Sequence, residues 1–346
     1  MSRASCKWLS KWPGDGGRLG LSRRVFLASA LGGALRAQKA EVSGFDLSLL
    51  DEGVTPAGLF FVREHFPAPS VSSAGWKLSV DGVDLAYDDL LNLPRKSLPV
   101  TLECAENPVG GGLVSHAEWT GVSLASLLEK GKPTSEARFV RLSGADGFSR
   151  SIPFAKAAHP DTLVAFNMNG SRLPVNHGFP LRAVIPGWYG MDSVKWLQRV
   201  ETLAGPDTGQ GYLRMRRSLL AGAQPAGPVA AMNVKSAFSR PRDGAILVGR
   251  RFLVRGAAWA GENRIRQVEV STDGAKSWQA ARLSSDLQRY AWVSWMYEWK
   301  IPARGQYALV VRAADDQERS QPAERERERV DAYELNASET IQITVI

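Results

Sequence analysis

Cys104 lies in the stretch Val100 to Trp119, VTLECAENPVGGGLVSHAEW, between an alternating apolar run (Val100, Leu102) and three glycines (Gly110, Gly111, Gly112). A thiol at a strand end, followed by a loop, is either a buried structural side chain or a soft ligand held rigidly toward a site. The other cysteine, Cys6, falls in an N-terminal segment that reads as removable, so no disulfide is expected in the mature chain. Four histidines, His65, His116, His159 and His177, are spread too widely for a zinc signature. There is no Cys-x-x-Cys-His haem motif, Walker loop or Gly-x-Ser-x-Gly elbow. Three cations stand in unusual company. Arg63 follows Phe60-Phe61-Val62, Arg182 follows Asn176-His177-Gly178-Phe179-Pro180-Leu181, and Lys195 precedes Trp196-Leu197. Charges amid apolar segments are costly to bury unless paired, so either ordinary ion pairs or one shared anionic ligand accounts for them.

The elements that must position these residues divide into two patterns. In the first half, Trp76 to Val80 alternates before an Asp81-Gly82 turn, and Phe139 to Leu142 and Leu181 to Ile185 read as buried strands. Ser123 to Glu129 places Leu124, Leu127 and Leu128 on one helical face before Gly131, so this half is expected to be α+β. The second half alternates at Val268 and Val270, at Tyr297, Trp299 and Ile301, at Tyr307, Leu309 and Val311, and at Ile341, Ile343 and Val345. Short strands between turns predict an immunoglobulin-like β-sandwich. Small residues and prolines in Ala221 to Val229 mark the seam, and the alternating-charge run Glu324 to Arg329 reads as a solvated loop.

Residues 1–37 read as a twin-arginine signal peptide: basic residues, then Ser22-Arg23-Arg24-Val25-Phe26-Leu27, then an apolar stretch from Ala28 to Leu35 too short to span a bilayer. Export of a folded, cofactor-bearing protein to the periplasm is the expectation. The segment holds seven Lys or Arg and one Asp, so the formal charge of +8 becomes +2 without it. The basic balance is therefore mostly the leader's, with no case for nucleic acid and no apolar run elsewhere long enough for a membrane span.

On FFVREHFPAP, LECAEN, NMNGSRLPVNHGFPLRAVIPGWYG and VKWLQRV the chain resembles the sulfite oxidase family of molybdenum enzymes, and VEVSTDGAKSW, RYAWVSW and RAADDQERSQP resemble that family's dimerisation domain. The resemblance implies a molybdopterin-binding domain over residues 38–220, a linker over 221–229, and a sandwich over 230–346 through which a homodimer forms. It implies that Cys104 is the thiolate ligand of molybdenum held by the molybdopterin dithiolene. Phe61, Val62, Arg63, Glu64 and His65 would line the pterin and metal site, with Arg63 at the substrate-binding arginine. Asp146, His177, Arg182, Ser193, Val194 and Lys195 would make further molybdopterin contacts. The implied reaction oxidises sulfite, or a related small sulfur oxyanion, to sulfate by oxo transfer, with Arg63 and Cys104 as the catalytic residues. With no haem motif, electrons would leave to a separate acceptor such as a c-type cytochrome.

The sequence departs from the family at four places. Glu64 replaces an asparagine, Glu106 in Cys-Ala-Glu-Asn replaces a glycine, Asp192 falls where a second arginine is usual, and no tyrosine matches clearly, with Tyr189 and Tyr212 as candidates. Acids beside an anion pocket disfavour an anion, which leaves S-oxide or N-oxide reduction open as an alternative. A cofactor-free binding protein on the same fold is the alternative outside enzymology.

Overall fold

Leu78 and Val80 turn inward from the strand Lys77–Val80 while Lys77 faces solvent, the period expected of a half-buried strand. Asp81 and Gly82, at φ of 47° and 85°, return the chain as Val83–Ala86. The computed structural model describes residues 40–49, 53–207, 228–284, 287–327, 329 and 331–346. The proposed leader with Cys6, Tyr212 and residues 221–227 of the proposed linker lie outside the described residues.

Lys77–Val80 belongs to a five-stranded sheet in the order Val83–Ala86, Lys77–Val80, Leu197–Leu203, Phe139–Gly144, Ser149–Pro153, with the first two antiparallel and Leu197–Leu203 parallel to Lys77–Val80. A second sheet runs Ser171–Arg172, Leu163–Met168, Val114–Ser123, Arg95–Glu103, and Arg182–Val184 also pairs with Leu163–Met168. Leu78, Leu142 and Val200 from the first sheet pack in one core with Val122, Phe166 and Ala183 from the second. Helix Leu124–Gly131 adds Leu124, Leu127 and Leu128 to it, and Lys132, at φ 54°, ends the helix one residue beyond the expected glycine. Among the described residues the three α-helices of this half run only five, eight and four residues, so the part expected to be α+β is mostly sheet there.

The C-terminal half is a sandwich of two sheets. One orders Lys235–Arg240, Arg251–Trp259, Val293–Lys300 and Arg282–Leu283; the other orders Ile246–Leu247, Glu339–Val345, Gly305–Asp315, Ile265–Ser271 and Gln279–Ala280. Val254, Trp295 and Trp299 from the first pack on Val268, Leu309 and Ile343 from the second, which is the alternation read from the sequence.

The two halves share a core, and residues 38–346 form one compact unit. Phe45, Ala105, Val114 and Tyr189 pack with Met232, Trp259 and Trp292. Within that contact Lys235 Nζ donates to Glu103 Oε1 at 2.8 Å and to the carbonyls of Asn107 and Pro108 at 2.9 and 3.2 Å, while Trp259 Nε1 donates to Glu103 Oε2 at 2.8 Å. The glycine run is fitted between neighbours. A Cβ on Gly112 would lie 1.9 Å from Phe45 O, and one on Gly110 would lie 2.3 Å from Glu339 Oε1.

Replacing Lys235 with Met leaves the buried Glu103 without its counter-charge and is expected to cost about 3 kcal/mol of stability. Urea unfolding of the purified variant checks this, and an unchanged midpoint contradicts it. Burial pushes the Glu339 carboxyl up to about 7 from 4.5, so the folded state keeps a proton that the unfolded chain has released. Its contribution to stability is therefore fully present below pH 4.5 and is lost as the pH rises through about 7. Glu339→Gln, neutral throughout, is expected to flatten stability against pH over that window; an unchanged slope places the titration elsewhere.

Candidate active site

The strand Arg95–Glu103 ends one residue before Cys104, whose N–H donates to Leu113 O at 2.9 Å. Asn107 closes the loop between them, donating from its backbone to Cys104 O and accepting Leu113 N–H at its side-chain oxygen. The thiol lines a cavity together with Arg63, Arg182 and Lys195. Burial first, then the Glu106 and Glu103 carboxylates, push the Cys104 thiol up to about 11, against the Glu106 N–H and Arg63, which lower it. A bound metal cation would reverse that balance by taking the sulfur as thiolate.

All twelve residues that the sequence singled out line this one cavity: Phe61, Val62, Arg63, Glu64, His65, Cys104, Asp146, His177, Arg182, Ser193, Val194 and Lys195. His116 and His159 do not line it; His116 Nδ1 lies 3.1 Å from Thr101 Oγ1 within the fold, and His159 Nδ1 accepts Asp161 N–H.

One wall is cationic. Arg182 is buried over Trp119, 5.1 Å from its ring centre, and donates from Nη1 to His177 O at 3.2 Å. Its Nε is buried without a hydrogen-bond partner among the described residues, and burial takes its pKa down to about 9. Lys195 Nζ donates to Glu64 Oε1 at 3.0 Å and Asn176 O at 2.8 Å; burial first, then Arg182, bring its pKa down to about 8. His177, pushed down to about 4 by burial, is neutral at pH 7 and donates from Nε2 to Ala57 O at 2.8 Å. His65 stacks on Phe148 with ring centres 4.8 Å apart, and burial lowers its pKa. Asp146 Oδ1 accepts Phe148 N–H, and Ser193 Oγ accepts Ile185 N–H, so both fix loops at the cavity edge.

Three readings of the sequence need correction. Asp192 does not line the cavity: it is fully buried and paired with Arg150, Nε to Oδ1 at 2.8 Å, so its charge is met away from the anion pocket. Tyr189 is buried in the contact between the halves and also lies off the cavity. The tyrosine on the cavity is Tyr333, from the C-terminal half. It hangs from the charge run that read as solvated. Arg327 is exposed as expected, but Arg325 and Arg329 hold Asp331 at 3.0 and 2.8 Å, Arg329 also holds Glu334 at 3.0 Å, and both arginines donate to Tyr333 O. Glu334 N–H then donates to Ala105 O at 2.8 Å, which ties the segment to the residue after Cys104. The one signal in the sequence was acids placed five and six residues beyond arginines, a spacing with no regular-structure meaning.

Comparison with known proteins agrees with this geometry. Residues 65–210 match the oxidoreductase molybdopterin binding domain, and residues 227–336 match the Mo-co oxidoreductase dimerisation domain. The chain is 33% identical over 321 residues to mitochondrial sulfite oxidase of Homo sapiens, covering 79% of this chain and 58% of that protein. It is 33% identical to sulfite oxidase of Gallus gallus, covering 79% of this chain and 69% of that protein. The crystal structure of the sulfane dehydrogenase SoxCD from Paracoccus pantotrophus matches with a TM-score of 0.82 at 26% identity, over 90% of this chain and 86% of that one. This chain therefore belongs to the sulfite oxidase family of molybdopterin-dependent oxidoreductases, and it spans little more than half the length of the human relative.

Arg329→Ala is expected to free the segment around Tyr333 without unfolding the core, because its contacts are local to residues 331–334. Hydrogen exchange at the Glu334 amide should speed up by roughly 10-fold or more while the strands stay protected. Unchanged exchange there contradicts the clamp.

Proposed function

We propose that the protein is a molybdenum-cofactor oxidoreductase that oxidises a small sulfur compound by oxo transfer and passes the electrons to a separate acceptor. One observation carries the reading: a soft thiol, Cys104, lines the same cavity as Arg63, Lys195 and the buried Arg182, whose Nε has no hydrogen-bond partner among the described residues. The residues fit the cofactor. Among the described residues no three His, Cys, Asp or Glu side chains gather as a metal site of their own, so Cys104 would be the one protein ligand and a dithiolene the complement. Arg182 and Lys195 would hold the anionic part of the pterin, with neutral His177 and the backbone near Ser193 and Val194 shaping its edge. Phe61 and Val62, both buried, supply the apolar part of the lining.

When bound, the cofactor supplies two-electron oxo transfer, and the protein supplies orientation and charge. Arg63 would orient the substrate, Glu64 holds Lys195 in place, and the Glu106 N–H steadies the sulfur of Cys104. The same reading takes residues 1–37 as a twin-arginine leader and the periplasm as destination, the sandwich as an immunoglobulin-like module pairing two copies, and a c-type cytochrome as acceptor. The SoxCD match, with sulfane dehydrogenase in its title, supports sulfur chemistry. A second reading, reduction of an S-oxide or N-oxide, is favoured by the pairing of Arg63 with Glu106, since a neutral substrate needs no free cation.

Elemental analysis of the purified protein is expected to find about one molybdenum per chain. Reduction by sulfite, thiosulfate or organic sulfanes, followed by paramagnetic resonance, should identify an oxidisable sulfur compound, and Cys104→Ser should lose turnover while keeping its fold. A metal-free protein from molybdenum-replete cells would return the cofactor-free binding module, and a loaded protein oxidised only by S-oxides would reverse the direction of flux.

A further inference from the structure

Arg63 is the cation that a free oxyanion would seek, and it is already engaged. Its Nε and Nη2 both donate to Glu106 Oε2, at 3.3 and 3.1 Å, and its Nη1 donates to Glu64 O at 2.7 Å. The two side chains are half-buried, at 28% and 38% exposure, so the pair is only partly screened by solvent. Glu64, another acid on the wall, is closed off in the same way, between Lys195 Nζ at 3.0 Å and Glu41 N–H at 3.1 Å. Around Arg63 and Lys195 the cavity thus offers charge pairs where an anion pocket offers bare cations.

We infer that Glu106 is the specificity-determining residue of this cavity, and that it selects a sulfur compound whose bound end carries no free oxyanion, a sulfane, thioether or S-oxide group, over sulfite. The inference rests on the function proposed above. A sulfite ion reaching Arg63 must displace the carboxylate and then sit beside it, two like charges sharing one guanidinium. An uncharged sulfur group leaves the pair intact and packs against it. Tyr333 lines the same cavity, and burial first and then the Glu106 charge push its phenol up. The side-chain hydrogen bonds of Glu106 go to Arg63, so its removal frees Nε and Nη2 of the guanidinium.

The test is calorimetric titration of the purified holoenzyme with sulfate, an unreactive oxyanion, alongside steady-state oxidation of sulfite. Glu106→Gln is expected to bind sulfate roughly 10-fold more tightly than wild type and to lower the KM for sulfite by a similar factor. Adding Arg63→Ala to it should abolish both gains. Glu106→Ala gives the same reading if the amide variant fails to fold. A molybdenum-loaded Glu106→Gln protein that binds sulfate no better than wild type overturns the assignment and leaves the oxidoreductase reading standing. A molybdenum-free protein whose variant still gains sulfate affinity keeps the assignment and removes that reading.

Discussion

The buried ion pair of Glu103 and Lys235 is the constraint on which the rest of the structure depends. Glu103 directly precedes Cys104, and Lys235 opens the first strand of the C-terminal sandwich. Both side chains are almost fully buried, at 2% and 3% exposure, where each charge would be costly alone. The cost is offset because both are fully engaged: Glu103 by Lys235, Asn107 and Trp259, Lys235 by Glu103 and two carbonyls. The thiol that faces the cavity is therefore fixed by a contact that exists only when the two halves are together.

The same logic extends around the cavity. Each acid that departs from the family pattern is matched to a cation: Glu64 to Lys195, Glu106 to Arg63, Asp192 to Arg150. Asp192 is matched outside the cavity, whereas Glu64 and Glu106 are matched on its wall and engage cations that an anion would use. Arg182 is the exception, with a buried Nε left open, and its side is where an anionic group is best accommodated. The cavity has one cationic end suited to a cofactor's charged edge and one neutralised end suited to a less charged substrate.

Strand alternation made most of the fold legible. Leu78 and Val80, Val268 and Val270, and Ile341, Ile343 and Val345 all face cores, because a period of two has one physical meaning. The extent of helix was less legible, since only Leu124, Leu127 and Leu128 carry a long enough helical face. Cavity residues near aromatic or glycine-rich phrases were legible as a group. Two kinds of fact were not. The partner of Asp192 is Arg150, 42 residues away on a sheet edge, and pairing between a turn and a distant strand leaves no local mark. Tyr333 reaches the cavity through arginines whose acids follow at irregular spacing, in a run that looks like ordinary solvated charge.

The proposed function turns on Cys104 as the ligand of the molybdenum of this family's cofactor. X-ray absorption at the molybdenum edge tests it most directly, on the wild-type protein and on Cys104→Ser loaded under the same conditions. The account predicts that sulfur coordination falls in the variant and an oxygen or nitrogen neighbour takes its place. An identical sulfur shell in the two proteins would contradict it.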